Sequence, residues 1–314
     1  MKKALVLGAT GGMGYSIVNE LSNRGIKVIA FARTKEKLTQ MFGADPNVSI
    51  KVGNAFNQKQ LGHVVCNVEV IFQAINLPYG EWESKLIPLN ERIITTARKF
   101  SAKIAVVDNI YSYGKNNGSK ISESTPKNPN TKKGKLRLEM EELYKHLKVP
   151  YLIAHFPDFY GPYAENAQLN YMIRQVVANK KARFIGNQDV LREHIYTPDG
   201  AKAIVDLALR EDAYGQCWNI PAYDVISGKE IVKLVREITG YKKQVGTVTK
   251  NMLRLVGLFN TQMREFVEIQ YLNETPVVLD GAKFAELIAP VPKTPYKEGL
   301  KNTIIAYQKD EELR

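Results

Sequence analysis

Ala4-Leu5-Val6-Leu7-Gly8-Ala9-Thr10-Gly11-Gly12-Met13-Gly14 is the stretch that decides the fold. Residues 4–7 form a short unbroken apolar run, the pattern of a strand buried on both faces. After the glycines, residues 15–21 space their apolar side chains helically. A strand therefore runs into a glycine turn, and the turn opens a helix. Glycine permits the sharp turn and a close approach to a pyrophosphate, whose charge the N–H groups of the new helix receive. Gly8, Thr10, Gly11, Gly12, Met13 and Gly14 are thus predicted to hold a dinucleotide. A tight turn without a ligand is the alternative.

Outward from that stretch, apolar runs and helical patterns alternate. Residues 27–32, 48–52, 68–74, 103–107 and 151–155 read as strands, with helical segments near 35–42, 58–65, 83–100 and 133–146. The alternation predicts an α/β fold with a doubly wound parallel sheet. Residues 1–164 form the dinucleotide-binding domain, with strand and helix returns near 190–220. Residues 165–314 form a smaller, mostly helical substrate lobe, interleaved with it. Within that lobe Asp199, after Pro198, is expected to cap a helix, and Ser227 with Glu230 forms a capping box.

The totals narrow the class. Apolar residues at 44% and charged residues at 24% describe a globular chain. No apolar run reaches the length of a membrane span, and residues 1–3 lead directly into the first strand, which predicts no signal peptide and no membrane partner. Cys66 and Cys217 lack metal-ligand neighbours at motif spacing, so free thiols, no metal and a cytoplasmic setting are expected. The net charge of +12 is spread along the chain. Its densest cluster, 127–135, lacks the interleaved aromatics of a nucleic-acid surface, so no nucleic-acid partner is expected.

The end of the second strand selects the cofactor. An acidic residue there would bind the ribose hydroxyls of NAD. This chain has Phe31-Ala32-Arg33-Thr34-Lys35, with no carboxylate before Glu36. A guanidinium pairs with a 2′-phosphate that a carboxylate would repel, so Arg33 favours NADP, with NAD the alternative. Stacking on the adenine or facing water are the other readings of Arg33.

Gly8, Gly11 and Gly14 read G-x-x-G-x-x-G, and in this the chain resembles the extended and atypical branches of the short-chain dehydrogenase/reductase superfamily. The resemblance covers nearly the whole chain and implies a Rossmann-type domain. It implies that Asn54 and Ala55 lie near the adenine, that Ala74 and Asn76 follow the pyrophosphate and ribose, and that Pro157 lies at the nicotinamide end. It also implies a substrate pocket containing Tyr79, Trp82, Tyr111, Asp158, Arg192 and His194. Loop packing is the alternative for Tyr79 and Trp82.

The catalytic pair departs from the superfamily. Tyr113-Gly114 matches its Tyr-Gly dipeptide, and Asn109 stands where a catalytic hydroxyl is implied. Asparagine can polarise a carbonyl but does not titrate. The usual Tyr-x-x-x-Lys sets both side chains on one helical face. Here the Glu123-x-x-Pro126-x-x-Pro129 lead-in is kept, and aligning Gly134 and Glu141 sets Lys133 and Arg137 at the two positions. Arg137 is expected to hold the nicotinamide ribose. Lys133 donates a proton only if burial or Arg137 depresses its pKa. Tyr111 and Tyr113 are alternative donors, and a solvated basic turn is the alternative for the pair. His155 reads as a packed core residue.

The resemblance implies an NAD(P)-dependent oxidoreductase or epimerase-like enzyme. It would pass a hydride between NADP and a carbonyl or secondary alcohol of a small molecule, and two copies would pair through the helices near 83–100 and 133–146. The lost Tyr-Lys pair keeps open a catalytically silent NADP-binding sensor. A nucleotide-sugar epimerase is the third reading.

Overall fold

The computed structural model describes residues 1–116, 118–147 and 149–312. Its first half alternates strand and helix: β1 (Lys3–Leu7), α1 (Gly12–Asn23), β2 (Lys27–Ala32), α2 (Lys35–Phe42), β3 (Val48–Val52), α3 (Gln58–Val65), β4 (Val70–Gln73), α4 (Trp82–Lys99) and β5 (Lys103–Asn109). It continues through β6 (Lys120–Ile121), α5 (Lys132–His146), β7 (Tyr151–Phe156), β8 (Asp158–Tyr160), α6 (Gln168–Val177), β9 (Arg183–Ile185), β10 (Leu191–Tyr196) and α7 (Thr197–Ala208). The remainder is β11 (Gln216–Asn219), β12 (Val225–Ser227), α8 (Gly228–Thr239), β13 (Gly246–Val248), α9 (Lys250–Gly257), α10 (Thr261–Val267), β14 (Val278–Leu279), α11 (Ala282–Leu287) and α12 (Tyr296–Glu312).

Seven strands form one sheet in the order β11-β7-β5-β4-β1-β2-β3. Every pairing within it is parallel. This is the doubly wound Rossmann-type sheet that the alternation predicts. Its order reverses between β1 and β4, and the crevice at such a switch point, beyond the carboxyl ends of the strands, is where ligands bind in open α/β sheets. β11 joins the sheet edge from beyond residue 165.

Alternation along β1 divides the core. Leu5 and Leu7 face α3, α4 and α5, whereas Ala4 and Val6 face α1, α2 and α7. A third cluster joins Leu169, Met172 and Ile173 of α6, Ile231 and Val235 of α8, and Leu300 and Ile304 of α12. It is the core of the lobe.

Two local expectations resolve differently. The capping box forms, with Ser227 accepting from the Glu230 N–H and the Glu230 carboxylate accepting from the Ser227 N–H. Asp199 does not cap its helix: α7 begins two residues earlier, at Thr197. The Asp199 carboxylate instead accepts the N–H and hydroxyl of Thr294, at 2.7 and 2.8 Å. A distant segment offered two donors, and the carboxylate turned to them.

Two glycines of the turn after β1, Gly8 and Gly14, tolerate no added atom. A Cβ at Gly14 would lie 2.1 Å from the Gly8 carbonyl oxygen, and one at Gly8, where φ is +78°, would lie 2.8 Å from the Ala74 carbonyl oxygen. Gly14→Ala is expected to lower stability by about 1–3 kcal/mol or more, because backbone must move. Urea denaturation of the variant beside the wild-type chain checks this.

Candidate functional site

The crevice begins at the glycine turn. Tyr15 N–H makes the first backbone bond of α1, to Gly11 O at 2.7 Å, and the N-cap Gly11 adds no side-chain bond. The N–H groups of Gly12, Met13 and Gly14 precede that bond, which leaves them available to an anion. Gly11 is exposed, and a Cβ there would meet only Gly8 O, at 3.5 Å. Thr10 is half-buried beside it. Gly12 is tighter, since its Cβ would meet Ala164 at 2.6 Å. The Met13 side chain turns away from the crevice and packs beside Gly200 of α7, so only its backbone faces a ligand.

Around the turn, Arg33 stands exposed just past β2 and makes no hydrogen bond or ion pair among the described residues. Asn54 is exposed past β3, but its side-chain oxygen accepts from Phe56 N–H at 3.0 Å. Its amide nitrogen and the second lone pair of that oxygen remain for a base. The Ala55 methyl is 5% exposed and belongs to the core beside Leu61 and Phe31, so its contribution is confined to backbone. Ala74 bonds back to Leu7 O at 3.0 Å, and Asn76 is exposed in the loop after β4. Pro157 is buried between β7 and β8.

The expected catalytic residues are drawn into the protein. Lys133 is 2% exposed, and its Nζ donates to Glu265 at 2.6 Å and Glu268 at 2.9 Å. Its backbone N–H also donates to Glu268. Arg137 is 7% exposed, pairs with Asp108 at 3.1 Å and lies 4.1 Å over the Trp82 ring. Burial pushes the Asp108 carboxyl up, against the pull of Arg137. Neither a solvated basic turn nor an open ribose clamp describes this pair. The Trp82 ring, 1% exposed, is held by its Nε1–H to Leu77 O and presents no face to a ligand.

The tyrosines separate. The Tyr113 hydroxyl donates to Asn219 Oδ1 at 2.7 Å, and its ring carries Lys127 at 4.9 Å, on the β11 side. Asn109 is half-buried, and its Oδ1 accepts Tyr111 N–H, which shapes a short 3-10 turn over residues 111–113. The Tyr111 and Tyr79 hydroxyls share a 2.8 Å bond. Burial pushes Tyr79 up to about 12 and Tyr111 well above its ordinary value, so both keep their protons at neutral pH. Arg192 pairs with Asp158 and also reaches Asn273. His194 is 3% exposed, and burial holds its imidazole neutral, well below its ordinary pKa. Arg192 and His194 are thus interior residues of the lobe seam.

Sequence reasoning missed the partners. Glu265 and Glu268 are 132 and 135 residues from Lys133, and no local pattern links them. The Glu123 of the lead-in has a structural role, accepting Asn219 N–H at 2.7 Å. Glu141, His155 and Cys217 gather their ligand atoms within 4.8 Å. Lys127 also pairs with Glu141 and lies 3.2 Å from His155 Nε2, so an ammonium supplies the cation of this cluster.

Burial alone would raise the Glu141 carboxyl, but His155 and Lys127 hold it well below the ordinary 4.5. A depressed carboxylate gives stability that is present above its unfolded pKa and lost as pH falls through its folded pKa. Glu141→Gln is expected to cost about 3–5 kcal/mol at neutral pH, because Lys127 is left without its partner. It should also flatten the loss of stability below about pH 4.5. Urea melts from neutral to acid pH on both proteins check both effects.

Residues 4–220 match the model of the NAD dependent epimerase/dehydratase family. No curated protein matches the sequence. Among solved structures, dTDP-glucose 4,6-dehydratase from Bacillus anthracis, in complex with NAD, is similar at 19% identity and a TM-score of 0.80, covering 99% of this chain and 98% of that one. UDP-glucose 4-epimerase from Thermotoga maritima, with UDP-glucose, is similar at 18% and 0.78, covering 98% and 99%. UDP-glucuronic acid 4-epimerase from Bacillus cereus, in complex with NAD, is similar at 16% and 0.78, with coverage of 98% and 99%. At these identities the likeness is one of fold.

Proposed function

This chain belongs to the NAD dependent epimerase/dehydratase family, and from that premise we propose that it binds NADP across the β1–β4 switch point and passes a hydride between it and a carbonyl or secondary alcohol. The observation that carries the cofactor reading is Arg33, exposed beyond β2 and without a partner among the described residues, in a crevice whose glycine turn leaves N–H groups outside the helix bonding. The solved neighbours that hold NAD support a nicotinamide dinucleotide in general. The 2′-phosphate preference is this chain's own, from a guanidinium where a carboxylate would select NAD.

The residues fit the group. Gly12, Met13 and Gly14 would bind pyrophosphate through backbone, Arg33 the 2′-phosphate, the Asn54 amide the adenine, and Ala74 and Asn76 the ribose side. The nicotinamide supplies hydride donation or acceptance. At the reacting oxygen, the Tyr111–Tyr79 hydroxyl pair is the donor that this arrangement supports. Both phenols hold their protons, so either polarises a carbonyl by hydrogen bonding and gives its proton to the oxygen as negative charge develops there. Lys133 and Arg137 act as positioning residues behind that pair. Lys133 lies over the Tyr79 ring at 5.5 Å and Arg137 over Trp82, which stacks on Tyr111.

A nucleotide-sugar epimerase, in which the hydride leaves and returns, is the same reading with a different product. The neighbours bound to UDP-glucose or NAD support it. The silent, cofactor-binding alternative is favoured by one observation, the commitment of Lys133 to two carboxylates of the lobe.

Titration calorimetry is expected to show NADPH binding about 10- to 100-fold more tightly than NADH, with the preference erased in Arg33→Ala. Equal affinities in the wild-type chain overturn the NADP assignment. With cofactor affinity unchanged, Tyr111→Phe is expected to slow turnover or epimerisation about 10²- to 10⁴-fold. Tight cofactor binding without conversion of any aldehyde, ketone or nucleotide sugar would favour the silent reading.

A further inference from the structure

Helix α9 leads into an apolar face that none of the described residues covers. Leu253 and Gly257 turn inward and are buried. Met252, Leu255 and Val256 turn outward with 40, 65 and 50% exposure, and Leu258 and Phe259 in the following turn reach 72 and 91%. Single exposed apolar residues are ordinary, but five within eight positions form a patch.

The sequence around this patch is mainly basic, with Glu265 of α10 and Glu274 the neighbouring carboxylates. Residues 240–264 contain Lys242, Lys243, Lys250, Arg254 and Arg264 and no carboxylate. Lys250 pairs with Glu274. Lys242, Arg254 and Arg264 are exposed and make no ion pair among the described residues. The whole chain adds to this with its net charge of +12.

We propose that α9 and the turn after it dock the protein onto a bilayer surface rich in anionic lipid. Met252, Leu255, Val256, Leu258 and Phe259 enter the boundary between headgroups and acyl chains, while Lys242, Arg254 and Arg264 meet the anionic headgroups. A second copy of the chain is a poorer occupant, since two such patches face to face would bring like charges together. The expectation of no membrane partner rested on the lack of a spanning run. Among the described residues no helix is long and apolar enough to cross a membrane, but a surface helix does not need that length. The element is also joined to the candidate site. α9 packs against α10, whose Glu265 and Phe266 lie against Lys133 and Tyr79.

Cosedimentation of the full chain with vesicles tests the proposal. At about 0.1 M salt, binding to phosphatidylcholine vesicles with about one third phosphatidylserine is expected to exceed binding to phosphatidylcholine alone by about tenfold, and to fall at about 1 M salt. The triple variant Leu255→Ser, Leu258→Ser, Phe259→Ser should lose about tenfold of that binding with an unchanged melting temperature, since all three side chains are exposed. A separate Phe259→Trp variant should show a blue-shifted emission on anionic vesicles alone, against native Trp82 and Trp218 that are each 1% exposed. Absence of binding to anionic vesicles overturns the proposal, as does equal binding by the wild-type chain and the triple variant. A wild-type dimer that the triple variant converts to monomer, without vesicle binding, assigns the patch to a second copy instead.

Discussion

The crossing of the β1 turn with the start of α1 is a contact between backbones. Gly14 approaches the Gly8 carbonyl so closely that a Cβ would sit 2.1 Å from it, and Gly8 abuts the Ala74 carbonyl at the end of β4 in the same way. Three elements are thereby locked at the point where the sheet order reverses. The direction of α1, the line of unpaired N–H groups and the location of the crevice all follow from that approach. The same closeness leaves a surface of N–H groups without side chains, which is what a pyrophosphate needs.

A second constraint acts on the far side of the crevice. Lys133 and Arg137 occupy one face of α5, and each finds an anion inside the protein: Glu265 and Glu268 for the first, Asp108 for the second. A charged side chain taken out of water requires a partner, and removing either partner would leave the other charge buried alone. Lys133 and Arg137 are thereby tied into the seam between sheet and lobe. Beside the pair, the hydroxyls of Tyr79 and Tyr111 are held 2.8 Å apart. Burial raises the pKa of both, so both stay protonated at neutral pH.

The lobe is bound to the sheet through these polar contacts and not only through apolar packing. Asp199 to Thr294, Asp158 through Arg192 to Asn273, and Lys133 to α10 join the two sides of the seam. The segment bearing α9 and α10 is therefore anchored on one side by charge. On the other it exposes five large apolar side chains in a basic stretch of the sequence.

What the sequence determined by itself was local and periodic. The buried strands, the glycine turn at Gly8–Gly14 and the capping box at Ser227 are legible because each depends on neighbours within a turn or on short apolar runs. The tertiary structure decided which charged residues face water. Lys133 is an ordinary basic residue at a helix start until Glu265 and Glu268 arrive from 132 and 135 positions away. Trp82 is a plausible pocket wall until Arg137 covers its ring. Asp199 has the position of a cap until Thr294 presents two donors. In each case burial of a polar group creates a demand that only a distant residue meets, and short-range pattern carries no record of which residue that will be.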